Sequence, residues 1–520
     1  MRCRAVIAVA ILLFMTTGEV ETGGASEQPR DPELWKLTLA AVRGAASAID
    51  EHLDRGGWCP RVRLAVVRAF DSGWPNISPP QLFPLDTAPV DYSALFGPKR
   101  DQLKPIAFTD VEEFTALIAF VRDRDDLRAR LSMEMRTGHD DLVDRMIDLE
   151  VTDLPLSLLD RAHATGITTD DELLRPYLER ERAWFLDPLP VEYVIPLALT
   201  ALDLDEPLVI DARTRIEPLD EATQAARATS ALSTSSVPET VVGAATHAIV
   251  LSGHQLPNPG PTQRKFTRDA DLLPLADADL VCEALRVLTH VDVGYAQVLR
   301  RPLGWADRWE HDLPPLTQTM TLRRYPDKFD DYGWLEKPNP IARETLNRLP
   351  CIVGTLRTAP PNVRLAARRL SLAALREADD DRTVDACIGL EALLGAGRDE
   401  LSHRLALRAA TALATRPDSP ADAQTIYDVM KKVYQHRSAV VHGTTADKSR
   451  IIRLGERTHS AANAAVMLLR ELLIDALSRP ESWTAKTLDL TLLSALSPSP
   501  ASVDATSGDT ASEFGATTKK

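Results

Sequence analysis

The sequence predicts an α+β N-terminal domain followed by an all-α four-helix bundle, in a chain that is predominantly helical overall. Three observations lead there. Runs that read as strands fall only between residues 192 and 323. After Pro360-Pro361, apolar residues recur at helical spacing. The composition is rich in Ala, Leu, Arg and Asp and only 5% aromatic, which suits a mostly helical protein. A chain of 520 residues is expected to hold two domains or more, each able to bury an ordinary core.

Residues 1–30 open on Met1-Arg2-Cys3-Arg4 and an apolar run over residues 5–15. That run has signal-peptide length and is too short to span a bilayer. Glu19 and Glu21 fall where cleavage would occur, and only Gly23-Gly24-Ala25 offers small residues there. The segment is therefore expected to be signal-like or a mis-called start. The chain is expected to be cytoplasmic with no membrane partner, export being the alternative that the apolar run leaves open.

The α+β domain is expected over residues 31–350. Amphipathic stretches at 33–53 and 61–70 flank Gly56-Gly57, and residues 74–105 are Pro-rich and irregular. Helical spacing returns at 111–122, 127–151 and 170–185. The period then changes: residues 192–199 and 208–216 read as two strands joined across 203–207. Further strands are expected at 247–252 and 318–323, with a helix at 278–289 between them and a loose polar segment at 223–240. No internal repeat is present, and nothing in this domain names a substrate.

Charge and motif content exclude several functions. Lys and Arg total 60 against 75 Asp and Glu, a net charge of −15, which argues against a basic surface for duplex DNA but leaves room for a local basic groove. The five cysteines, Cys3, Cys59, Cys282, Cys351 and Cys387, lie far apart without a CxxC pair. They read as reduced, buried small hydrophobes, with neither a disulfide framework nor a zinc site. There is no phosphate loop and no HExxH helix. His139-Asp140 lacks further histidines at metal-ligand spacing and reads as a solvated loop. No metal and no cofactor are called for.

The bundle is expected over residues 362–480 and should fold alone. Its first helix spans 362–394 with an interruption at the acidic run 379–381; the second covers 400–414, the third the stretch 422–443, and the fourth 451–477, stopped by Pro480. A short apolar segment ends at Leu496, and the tail over 497–520 has the Ser/Pro/Thr/Ala bias of a disordered segment.

The third helix carries the chemistry. Ser419 reads as its N-cap, Pro420 as its first position and Asp422 as N3. Ile426, Val429, Met430, Val433, Val440 and Val441 mark its apolar stripe, and Arg437 falls on that stripe where an aliphatic residue belongs. A guanidinium on a buried face requires a partner or a ligand. Glu391, set among Val384, Cys387, Ile388 and Leu394 on the first helix, is the candidate counter-charge. His442 stands in the last turn, before the helix-terminating Gly443. A bland reading accompanies each of these: a Glu391–Arg437 pair that fixes helix register, and a His442 that only bonds the last carbonyls. Tyr434 either stacks on a base or packs. Arg404 and Arg408, like the basic edge of Arg364, Arg368, Arg369 and Arg376, either contact RNA phosphates or form solvated faces.

The run Tyr434-Gln435-His436-Arg437-Ser438, with His442-Gly443 closing it, resembles the signature of the HEPN superfamily, in the form of its Apea-like branch. The likeness extends upstream to residues 385–394 and 400–408 and covers residues 362–480, about a quarter of the chain. It implies that Arg437 and His442 are a catalytic pair with Ser438 as the polar residue between them, a slot more often Asn, Asp or His across the superfamily. It implies a metal-independent endoribonuclease acting on RNA, a homodimer in which two motifs face each other, and a role in stress or phage defence. The N-terminal domain would then sense a phage or cellular trigger, or restrain the nuclease. The alternative is a non-catalytic module for dimerisation or for nucleotide or RNA binding; the intact Arg437/His442 pair favours the enzyme.

Overall fold

Asp31 starts the first helix, α1 (Pro32–Asp54): its carboxylate accepts the N–H groups of Glu33 and Leu34, and Pro32 occupies a position where no N–H is needed. The structure is a computed structural model that describes residues 28–78, 88–132, 140–230, 237–264, 273–395, 401–414, 416, 419, 421–443, 450–454, 457–480 and 483–495. The N-terminal segment, His139 and the 497–520 tail lie outside the described residues. The chain is predominantly helical with a sheet region, and it divides into two units, Met1–Gly354 and Thr355–Lys520. The division falls within the helix Leu349–Thr358, just ahead of Pro360-Pro361.

In the first unit, α1 packs with α2 (Glu112–Arg122), α3 (Asp125–Leu131), α4 (Asp140–Thr165) and α5 (Asp170–Phe185) around Leu34, Phe114, Leu117, Val151, Tyr177 and Trp184. Two expectations are corrected here. The stretch 61–70 is not helical: Val66–Ala69 is a strand paired antiparallel with Pro75–Ser78, because Gly73 at φ +100° turns the chain back and Val66-Val67 suit the pleat. The stretch 127–151 is not one helix; Ser132 is extended and ends α3.

A six-stranded sheet follows: β1 (Leu189–Pro196), β2 (Leu208–Val209), β3 (Thr214–Pro218), β4 (His247–Leu256), β5 (Tyr295–Pro302) and β6 (Thr317–Arg324), in the order β6-β5-β1-β4-β3-β2 with every pair antiparallel. The expected strand at 208–216 is a tight hairpin, since the N–H groups of Ile210 and Asp211 both reach the Thr214 carbonyl. Of its strands, β3 lies beside β4 and β2 forms the sheet edge, so neither pairs with β1. The central β1 is tied to three other strands through one carboxylate. Its buried Glu192 accepts hydrogen bonds from Arg215 of β3 (2.8 and 2.9 Å), Ser252 of β4 (2.6 Å) and Arg301 of β5 (3.2 Å). Helix α6 (Leu275–Leu288) matches its pattern.

The segment 223–240, expected to be loose, instead carries the end of a helix, Glu221–Thr229, and the start of another, Glu239–Gly243; residues 231–236 are outside the described set. Arg227 explains the order. Its fully buried guanidinium donates to the carbonyls of Val242, Gly243 (3.4 Å) and Ala245 (3.5 Å) and to Gln224 Oε1 (2.9 Å). Burial without a carboxylate pushes its pKa down to about 9.

Asp160 on α4 yields a pH-dependent prediction. Burial raises its carboxyl to about 6 from 3.8, with Asp91 adding to the shift and the Ser93 N–H, bonded at 3.2 Å, opposing it. Because the folded pKa lies above the unfolded one, the folded state holds an extra proton between about pH 4 and 6, and stability falls as pH rises through that window. The penalty at neutral pH is about 3 kcal/mol. Asp160→Asn should therefore raise the melting temperature at pH 7.5 and leave it nearly unchanged at pH 4. Equal shifts at both pH values, in paired calorimetric scans, would refute this.

The second unit holds α7 (Pro361–Leu375), α8 (Asp379–Leu394), α9 (Leu401–Ala414), α10 (Ala423–Val441), α11 (Ala461–Ser478) and α12 (Ala485–Ala495). Helix α8 packs on α7, α10 and α11, and α9 packs on α10 and α12. The expected first helix is two: Arg376 is extended, and Asp379, Asp380 and Asp381 form the first turn of α8, where their charge suits the helix dipole. Gly389 permits a close approach of α8 to α11, since a Cβ there would lie 2.7 Å from Leu469 Cδ2. The expected fourth helix loses its start to a hairpin, β7 (Ile451–Leu454) with β8 (Arg457–Ser460); Ser460 then caps α11 through the Asn463 N–H. The β-branched Ile451-Ile452 favour the strand.

No helix among the described residues is long and apolar enough to cross a membrane. Cys282 and Cys387 are buried as expected, but Cys59 is only half-buried and Cys351 is exposed, a correction to the uniform reading.

Candidate functional site

Helix α10 begins later than its sequence indicates. Asp422, not Ser419, is the N-cap, and its carboxylate accepts the Thr425 N–H at 2.8 Å. From there Ile426, Val429, Met430 and Val433 are buried, and the stripe then loosens: Val440 is half-buried and Val441 is exposed. Arg437 sits where the stripe reaches the surface, with a side chain 26% exposed.

Its guanidinium meets α8. Arg437 Nη2 lies 3.5 Å from Glu391 Oε1, an ion pair at long hydrogen-bond range. The guanidinium carbon lies 5.5 Å from the centre of the Tyr434 ring, a cation–π contact. Arg437 Nε and Glu391 Oε1 are both buried, and neither has a hydrogen-bond partner among the described residues. The pair thus satisfies charge but not hydrogen bonding, and the Arg437 Nε–H is a donor that a bound anion would accept from. The neighbouring acids respond to the site. Burial and the Glu391 carboxylate push the Tyr434 phenol up to about 12, with Arg437 opposing. The same two causes raise the Cys387 thiol to about 12.

His442 is the C-cap of α10. It is exposed, and its backbone N–H bonds the Ser438 carbonyl at 3.0 Å. Its ring has no hydrogen-bond partner among the described residues, so it does not itself tie off the last carbonyls. Gly443 follows at φ +64°, the left-handed turn that ends the helix. Five residues separate Arg437 from His442, about 140° on a regular helix, so the two diverge within one chain. Ser438 is half-buried on the His442 side. The structure therefore brings Arg437, Glu391 and Tyr434 together and leaves His442 apart.

Of the two arginines named as RNA contacts, Arg404 is exposed and Arg408 is not. Arg408 is 6% exposed, donates twice to Asp489 of α12 (2.8 and 2.9 Å) and bonds the Leu394 carbonyl at 2.6 Å. It clasps α12, and this burial removes it from any RNA surface. Arg408→Ala should destabilise the second unit by about 2 kcal/mol, since Asp489 is half-exposed and recovers part of its solvation. Thermal unfolding of the full chain checks this; an unchanged transition would show that the clasp contributes nothing.

Several polar residues escaped the sequence patterns. His436 is 3% exposed, with Nε2 3.7 Å from Asp380 Oδ1. Its place seven residues after Val429 and three after Val433 marks it as inward-facing. On the other flank of α10, Tyr427 and the exposed His403 are hydrogen-bonded at 2.8 Å, and Lys431 Nζ lies 5.6 Å from the Tyr427 ring centre. No group of His, Cys, Asp and Glu among the described residues is placed to hold a metal ion.

Comparison of the chain with family models, with curated proteins and with solved structures finds no match.

Proposed function

We propose that the second unit is a HEPN-type endoribonuclease, in which Arg437 and His442 cleave RNA without a metal ion. The observation that carries this reading is the Arg437 guanidinium, half-buried against Glu391 and Tyr434 with its Nε unpartnered. In the reaction, the 2′-hydroxyl attacks the adjacent phosphorus and the 5′-oxygen leaves, giving a cyclic phosphate. His442 moves the proton, as base toward the attacking hydroxyl or as acid toward the leaving oxygen. Arg437 neutralises the charge that builds on the phosphorane oxygens, and Glu391 holds the guanidinium in place.

The divergence of Arg437 and His442 on one helix supports a homodimer whose composite sites draw the two residues from different chains. Two arginines brought face to face repel, and Glu391 from each chain offsets them. The first unit would then sense a trigger, and stress or phage defence is the setting that the HEPN resemblance implies.

The direct test is incubation of labelled single-stranded RNA with the purified full chain in excess EDTA. Cleavage ending in a cyclic phosphate is the expected result. Intact RNA bound without cleavage would favour the non-catalytic module.

A further inference from the structure

The face of α10 that leads away from the candidate site is chemically uniform. On a regular helix Tyr427, Lys431, Tyr434, Ser438 and His442 fall within an arc of about 80°, and Arg437 borders it about 60° beyond Tyr434. This arc is turned away from the buried stripe of Ile426, Val429 and Val433. Tyr427, Lys431, Tyr434 and Ser438 are all half-buried, so their side chains lie along the surface, and His442 is exposed.

At the far end of the arc the structure builds a second polar centre. His403 projects from the first turn of α9 and meets the Tyr427 hydroxyl at 2.8 Å, with the two rings edge-to-face and their centres 5.7 Å apart. Lys431, one turn further along α10, has its ammonium 5.6 Å from the same tyrosine ring. The exposed Arg404 follows His403 directly. A tyrosine ring held at its edge by a histidine is oriented before any ligand arrives, which is what a stacking platform requires. The cations beside it suit a phosphate backbone and oppose an apolar partner.

We propose that His403, Tyr427 and Lys431 form a second RNA subsite, in which a base stacks on Tyr427 and the adjoining phosphate is met by Lys431. This rests on the reading of Arg437 and His442 as the cleavage site. Tyr427 stands ten residues before Arg437, about 15 Å along the helix. A stacked strand rising about 3.4 Å per nucleotide covers that distance in four to five steps. The subsite thus selects single strands several nucleotides long over dinucleotides and paired RNA.

The test compares the full chain with its Tyr427→Ala and Lys431→Gln variants on a dinucleotide and on a single strand of about twelve nucleotides, within the usual site-size range. Circular dichroism establishes that each variant is folded. Tyr427→Ala should raise KM for the longer strand about tenfold and leave kcat/KM for the dinucleotide unchanged. Lys431→Gln should reduce the salt dependence of binding to the longer strand by about one phosphate contact. Equal losses on both substrates would show a merely structural His403–Tyr427 contact and overturn the subsite, as would no change on either.

Fluorescence anisotropy with a 2′-deoxy strand of the same length separates this from the nuclease reading. If the wild-type chain binds that strand, cleaves no RNA, and binds about tenfold more weakly after Tyr427→Ala, the subsite stands while the catalytic assignment falls. If the strand is not bound, or is bound equally by both proteins, the subsite falls.

Discussion

Arg437→Ala should lower RNA cleavage by about 10³-fold, the scale of losing one preorganised charge partner of the transition state. His442→Ala should lower it by about 10²–10⁴-fold, as loss of a general acid–base does. Both proteins should keep their helical content, because His442 is exposed and the Arg437 guanidinium is incompletely bonded where it lies. The melting temperature of Arg437→Ala is expected to hold or rise. Undiminished cleavage by either variant would remove the mechanism. A mixture of the two variants offers a finer test: heterodimers restore one complete pair, so partial activity should return if the site is shared between chains. A chain that is monomeric while it cleaves RNA would overturn the shared site.

Arg227→Ala should produce the largest loss of stability, about 3 kcal/mol or roughly 4 °C in the melting of the first unit. The guanidinium is fully buried and serves three carbonyls at the end of the Glu239–Gly243 helix. Deleting it takes the donor from the Val242 carbonyl and opens a cavity; Gln224 continues to serve Ala245, and the Ala245 N–H continues to serve Gly243. Arg227→Lys should recover little, because a single ammonium cannot span acceptors that the planar fork reaches together. Calorimetry of the full chain reads the effect, and a shift below about 2 °C would show that the carbonyls find water instead.

The sequence carried the long helices and the strands with clear periods: α1, α2, α5 and α6, and the cores of β1, β4 and β6 lie where their patterns place them. It carried the opposition of Glu391 and Arg437, because a charge inside an apolar stripe is visible without coordinates. What it lacked was context. Residues 61–70 have helical spacing, yet Gly73 and the partner strand override it. The strand β5 was hidden because Gln297 and Arg300 interrupt it with polar side chains that are nevertheless buried. Arg408 looked like a surface cation because Asp489, which buries it, lies far along the chain in a segment too short to announce its packing. His403 and Tyr427 come from different helices, and no one-helix pattern can join them.

The order of the sheet also decides when the first unit can assemble. In β1, Leu189 pairs with Leu256 and Val191 with Pro302, so the central strand finds both neighbours only after long stretches of chain have closed into loops. Each closure surrenders entropy before any pairing compensates for it. The hairpin of the second unit, where Leu454 pairs with Arg457, asks for almost none. The barrier to folding in the first unit is therefore topological, set by sequence separation more than by the strength of any contact.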